Sequence, residues 1–183
     1  MKLQFLIATL AAASLSAKDW PQFLGPDANA TSSETGLLKS FPKDGPKILW
    51  KANLEGGFGG AAVSGDEIFL GDRVEKEKDM LLCLDFKTGK EKWRYESPSE
   101  GEPSYPGSRS VPTVEDDAAY FLGTFGEVFR INRKSHKADW KIKLSDRYPD
   151  AKAPNWGYAQ CTLIVGDTLI VMPFGCSIFD AAF

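Results

Sequence analysis

Apolar and polar positions along this chain alternate in short, strand-length runs separated by clusters of Gly, Asp, Asn and Ser. No stretch keeps the spacing of apolar residues that an amphipathic helix requires. The pattern predicts strands at 57–63, 67–72, 80–85 and 91–95, and a second set at 109–114, 119–123, 128–132 and 138–144.

The two sets are copies of one unit. LLCLDFKTGKEKW (81–93) lies without gaps on VFRINRKSHKADW (128–140), matching Leu84 with Ile131, Asp85 with Asn132, Thr88 with Ser135 and Trp93 with Trp140. AAVSGDEIFL (61–70) matches PTVEDDAAYF (112–121), and LIVGDTLIV (163–171) repeats the same strand, polar turn and strand. GPKILWK (45–51) adds an earlier Trp, so Trp50, Trp93 and Trp140 recur once per unit. Units of about 45–50 residues with four short strands each are the mark of β-propeller blades, an all-β class of four-stranded antiparallel sheets.

Within the unit, DFKTGK (85–90) reads as the hairpin between the last two strands. Gly89 supplies a positive φ, and the Asp85 and Thr88 side chains satisfy nearby backbone N–H groups. Trp93 is expected to pack on a neighbouring blade as a clasp. A phosphate loop is excluded, because GxxxxGK[ST] opens a helix and this segment opens a strand. His136, at the place of Gly89, is expected to be a surface turn residue, and Glu115–Asp117 a solvated hairpin.

Composition narrows the partners. At 183 residues with 43% hydrophobic content, the chain holds enough apolar surface for a globular core. A net charge of −3 with both signs interspersed argues against nucleic acid. Cys83, Cys161 and Cys176 share no CxxC spacing and are expected to be buried small hydrophobes, not a zinc or redox site.

Residues 1–17 have the layout of an export leader: Lys2, an apolar run over 3–15, then small residues. The run is too short to span a bilayer. Cleavage is expected after Ser16 or Ala17, so that the mature chain starts near Lys18. The first Cys after the run is Cys83, so no lipid-attachment site follows it. The expectation is a periplasmic or secreted protein without a membrane span.

LDFKTGKEKW (84–93) together with DWPQFLGP (19–26) resembles the pyrroloquinoline-quinone-like (PQQ-like) β-propeller repeat family. SRSVPTV (108–114) and PNWGYAQCTLIVGDTLIVMPFG (154–175) are similar to its exported polyvinyl-alcohol-dehydrogenase-like subgroup. The resemblance implies a ring of roughly seven or eight blades, closed by joining the first segment to the last blade. On this reading 18–56 is the closing segment with a partial blade, 57–98 and 99–146 are blades, and 147–183 is a truncated blade. FDAA (179–182) takes the place of LDFK (84–87), and the chain is expected to be the N-terminal part of a longer ring. Bare blade faces are then expected to drive self-association.

The resemblance also places a site. EGGFGG (55–60), YPGSRS (105–110) and NWGYAQ (155–160) each precede an innermost strand, at the mouth of the propeller axis. They offer Phe58, Tyr105, Arg109, Trp156 and Tyr158, suited to a flat anionic ligand or a peptide. Arg109, Trp156 and Tyr158 are the candidate binding residues; the competing reading has them filling gaps between blades. The family's enzymes imply an Asp base, a calcium ion held by Glu, Asn and Asp, and an adjacent Cys pair. No such pair or constellation is matched, so no catalytic or metal residue is assigned, and PQQ with calcium is expected only in a full-length protein. The expected function is a binding or scaffold module for a protein or polysaccharide partner. The alternative is the N-terminal part of a PQQ-dependent alcohol dehydrogenase.

Overall fold

The run 80–84 is apolar without a break, and a strand apolar on both faces has to be covered on both. The computed structural model describes residues 18–150, 152–173 and 179–182, and places this run in the middle of an antiparallel sheet. Residues 1–17, expected to be a leader, and Cys176 lie outside the described residues.

The first blade is β1 (Ala62–Ser64), β2 (Glu67–Val74), β3 (Lys78–Asp85) and β4 (Glu91–Pro98), paired in that order. The second is β5 (Thr113–Val114), β6 (Ala118–Leu122), β7 (Glu127–Asn132) and β8 (Ala138–Lys143), with the same meander. After the single-turn helix α1 (Leu144–Arg147), the strands β9 (Leu163–Val165), β10 (Thr168–Val171) and β11 (Phe179–Ala182) form a third sheet. Among the described residues no helix is long and apolar enough to cross a membrane.

The core lies between blades. Phe69, Leu81, Cys83 and Trp93 on one face of the first blade meet Val114, Phe121, Phe129 and Ile131 of the second. On the opposite face, Ile68, Leu70, Leu82 and Leu84 cluster with Val74 of the same blade and with Trp50 of the preceding segment. Leu122 and Val128 pack in turn against Leu169 and Val171 of the third sheet. The outer strand β8 alternates half-buried and exposed positions, as a strand with one wet face should.

The DFKTGK turn forms as its residues dictate. Asp85 Oδ1 accepts from the Thr88 N–H (2.8 Å) and Thr88 Oγ1 (2.6 Å), and the Gly89 N–H donates to the Asp85 carbonyl at φ +67°. These bonds, the Thr88 hydroxyl first, hold the Asp85 carboxyl below its usual range. The second blade builds the same turn from other residues. Asn132 Oδ1 accepts from the Ser135 N–H at 2.9 Å, and His136 takes the left-handed place at φ +59°.

Three expectations are corrected. The innermost strands are far shorter than 57–63 and 109–114 suggest, because the glycine-rich segment before β1 bonds to the next blade. The Phe58 and Gly59 N–H groups donate to the Ser108 carbonyl, and a Cβ on Gly57 would lie 2.5 Å from that oxygen. The strands β2, β3 and β4 run past the predicted 72, 80 and 95 because Arg73, Asp79 and Ser97 are buried, where a charge or hydroxyl reads as a strand end. In the third sheet, Ala182 faces Thr168 as Asp85 faces Glu67 and Asn132 faces Ala118. FDAA therefore sits two residues off the register with LDFK, and Asp180 is not the aspartate that opens a turn. Segment 18–56, expected to hold a partial blade, contributes no strand to the three sheets; Trp20 makes an isolated bridge to Val63.

Candidate functional site

The turn between β2 and β3 and the loops that lead into β1, β5 and β9 gather at one end of the blades. Arg73 sits at the bottom of this end, 1% exposed, with its guanidinium fully engaged. Nη1 donates to Asp79 Oδ1 (2.9 Å) and Ser99 Oγ (3.1 Å), Nη2 to the carbonyls of Ser99 (3.1 Å) and Gly101 (2.7 Å), and Nε to Glu75 Oε2 (3.2 Å). Asp79 then reaches the second blade, accepting from the Thr124 N–H at 2.9 Å and its hydroxyl at 2.8 Å. A buried pair this completely bonded holds one geometry, and breaking it strands a charge.

Glu75 carries the network to the surface. Its Oε1 accepts the Gly107 N–H at 2.6 Å, and the Gly107 carbonyl accepts Arg109 Nη1 at 2.9 Å. Arg109 Nη2 donates to the Tyr105 carbonyl, and the guanidinium lies over the Phe58 ring at 5.2 Å. Burial, with Arg73 as a neighbouring like charge, lowers the Arg109 pKa against the pull of Glu75, although a guanidinium remains cationic.

The three equivalent loops do come side by side. Gly57 pairs with Ser108, the Ser104 N–H donates to the Asn155 carbonyl at 2.8 Å, and a Cβ on Gly157 would lie 3.8 Å from Arg109 Nη1. Phe58 (68% exposed), Tyr105 (62%) and Trp156 (47%) stand exposed on these three loops, with the Phe58 ring against the Arg109 guanidinium. Tyr158 does not line this mouth. At 3% exposure it belongs to the core between the second and third sheets, with its ring against Gly126 and its N–H on the Thr124 carbonyl. Its place in the loop is equivalent, but the chain turns at Gly157 (φ +80°) and sends the ring inward.

Sequence reading missed Arg73, Glu75 and Asp79, which look like ordinary charged turn residues. Their only signal is a charge at positions inside the strand alternation. Three carboxylates at this end are already engaged. Asp72 accepts from the backbone of Arg73 and Glu55, Asp79 serves Arg73 and Thr124, and Glu75 serves Arg73 and Gly107. The described residues do not fit a calcium-held quinone, since no set of carboxylates is left to converge on an ion.

Cysteine chemistry is likewise quiet. Burial, reinforced by the Glu67 carboxylate, pushes the Cys83 thiol up to about 12, and burial raises Cys161 as well. His136 is in an exposed turn as expected, but its ring also stacks on Trp93.

Comparison with known proteins gives one family match: the profile described as outer membrane protein assembly factor BamB covers residues 28–173. No curated protein matches the chain. Among solved structures it is similar to BamB from Moraxella catarrhalis, at 14% identity and TM-score 0.46 over 67% of this chain. It is also similar to the quinohemoprotein alcohol dehydrogenase ADHIIG from Pseudomonas putida HK5 (14%, 0.49, 68% of this chain). A third likeness is to a europium-containing methanol dehydrogenase (17%, 0.46, 66% of this chain). The chain spans 32%, 18% and 20% of those chains respectively.

Proposed function

Because this chain belongs to the family described as outer membrane protein assembly factor BamB, we propose that it works as an exported propeller module that binds a protein partner through one blade end. The binding surface is Arg109 with Phe58, Tyr105 and Trp156. The observation that supports it is the pre-ordered cation. Arg109 is already held by two carbonyls and a ring face, so its side-chain entropy is spent before a partner arrives. Exposed aromatic rings beside an ordered Arg are the residue types in which interface energy concentrates. The complementary partner is an extended segment with a carboxylate for Arg109 and apolar or aromatic side chains for the rings.

Titration of a fluorescein-labelled peptide rich in Glu and Phe, followed by anisotropy, tests the reading. Arg109→Gln should weaken binding on the order of tenfold or more, Trp156→Ala by several-fold, and added salt should weaken it further. Equal affinity for wild type and Arg109→Gln would sink the proposal.

A further inference from the structure

The chain lends its own backbone to two of its three inner strands. Trp20 runs antiparallel to Val63 of β1 and exchanges backbone bonds of 2.9 and 2.8 Å with it. The Val114 N–H of β5 donates to the Pro21 carbonyl at 2.8 Å. Both contacts fall at one place in the repeat, since Val63 faces Ile68, Val114 faces Ala119 and, in the third sheet, Ile164 faces Leu169.

The N–H and carbonyl of a strand residue point to the same side. Both groups of Val63 leave the sheet toward Trp20, so those of Ile164 point away from β10, at the free edge of β9. Among the described residues no backbone bond from another segment reaches them. The covering segment turns off first. The Gly25 N–H donates to the Gln22 carbonyl at 3.0 Å, and the Ala30 N–H to the Leu24 carbonyl at 2.9 Å. A cavity of about 840 Å³ lies where it turns, with Phe23, Leu24, Phe58, Leu163 and Met172 in its lining and Arg109 as its charged residue among those described. Leu163 and Val165, on either side of Ile164, are exposed.

We propose that the inner edge of β9 takes an extended segment of the protein partner as an added antiparallel strand, whose C-terminal end brings a carboxylate to Arg109. The proposal rests on the binding surface of the preceding section and says how the partner is held there. An edge of unpaired N–H and C=O groups is matched by another main chain. Trp20 on β1 is the pattern for that match, and it sets the antiparallel direction.

Direction and charge then fix the partner's chemistry. Arg109 lies beside the chain that leads into β9: a Cβ on Gly157 would be 3.8 Å from its Nη1, and the Val111 N–H donates to Cys161 Sγ at 3.3 Å. A strand antiparallel to β9 therefore ends at the cation instead of starting there. The bonds from Arg109 to the Gly107 and Tyr105 carbonyls leave Nε and one hydrogen on each Nη for a carboxylate. Alternate side chains of an added strand fall on opposite sides, one toward the apolar cavity and one away from it. The partner segment accordingly alternates apolar and polar residues and closes on Asp, Glu or its own terminal carboxylate.

Binding to the full chain is followed by anisotropy with a fluorescein-labelled peptide of alternating Thr and Phe that ends in Glu, together with amide exchange at Ile164. The same peptide is then methylated at one backbone nitrogen at a time, which leaves the protein untouched. The expected result has a period of two: methylation at alternate positions weakens binding by about tenfold, and at the positions between them changes it little. The Ile164 N–H should exchange on the order of tenfold more slowly with peptide bound. The reversed sequence, with Glu first, should bind several-fold more weakly. A methylation series without alternation overturns the added strand. So does an Ile164 N–H that exchanges as slowly without peptide as with it, which means that this chain or a second copy already covers the edge. Arg109→Gln separates the two readings: if it weakens binding while the methylation series is flat, the surface stands and the strand falls. A peptide that does not bind at all overturns both.

Discussion

The indole of Trp93 lies flat against the imidazole of His136, with ring centroids 4.7 Å apart and planes 12° from parallel. Trp93 comes from the outer strand of one blade and His136 from the last hairpin of the next, so the stack joins two repeats. One repeat earlier, Trp50 covers the equivalent turn, where a Cβ on Gly89 would meet its ring at 2.3 Å. The same contact is made twice, once with a ring on a ring and once with a ring on bare backbone.

Trp93 is therefore the residue whose loss should cost most in the blade interface. Besides His136 it meets Phe69 edge-on at 5.8 Å and is buried among both sheets. Trp93→Ala should destabilise by about 3–5 kcal/mol and His136→Ala by about 1 kcal/mol. Urea midpoints at constant m-value report both, and an unchanged midpoint for Trp93→Ala would refute the clasp.

Gly89 is needed for two separable reasons, its φ of +67° and the Trp50 ring above it. Gly89→Ala should cost about 2 kcal/mol in the wild type, but only about 1 kcal/mol, the backbone share, when Trp50 is already Ala. A double-mutant cycle with no coupling would show that the ring does not rest on the turn.

Arg73 and Asp79 form the buried pair under the proposed binding surface, with side-chain exposures of 0% and 1%. Arg73→Met should cost about 3–5 kcal/mol, because it leaves the Asp79 carboxylate without its cation. Replacing both, as Arg73→Met with Asp79→Asn, should recover part of that loss. Because Glu75 links this network to Gly107 and Arg109, the single variant should also loosen the Arg109 loop, seen as faster amide exchange at Gly107.

Glu67 gives the blade interface an acid-sensitive contact. Burial raises its pKa, but bonds from Lys92 (2.8 Å) and Arg133 (2.9 Å) outweigh burial and leave it lowered. A depressed folded pKa stabilises above the ordinary carboxylate value, and that stability is lost as pH falls through the folded value. Thermal melts between pH 7 and pH 3 should show a shallower acid decline in Glu67→Gln than in wild type.

With its thiol pushed up to about 12, Cys83 should resist alkylation by iodoacetamide at pH 8 in the native protein and react once urea unfolds it. Peptide mapping resolves the site, and native labelling of Cys83 within minutes would show that the interface opens easily.

The repeat, the four-strand unit and the DFKTGK turn could be read from the chain alone. Each depends on chemistry within a few residues: an Asp that accepts from the backbone three places on, a residue that tolerates positive φ, and apolar runs of strand length. Arg109 and Trp156 were legible as candidates for the same reason, since they stand at repeated positions in loops. What the tertiary structure alone decided were the properties that depend on a partner far along the chain. Whether Arg73 is a surface charge or a buried one is settled by Asp79, Ser99 and Gly101 around it. Whether Tyr158 faces a ligand or the core is settled by the turn at Gly157 and the space beside Gly126. The inner strands shorten because the backbone of 57–59 finds its hydrogen bonds on Ser108 of the next blade, a neighbour that no local pattern names.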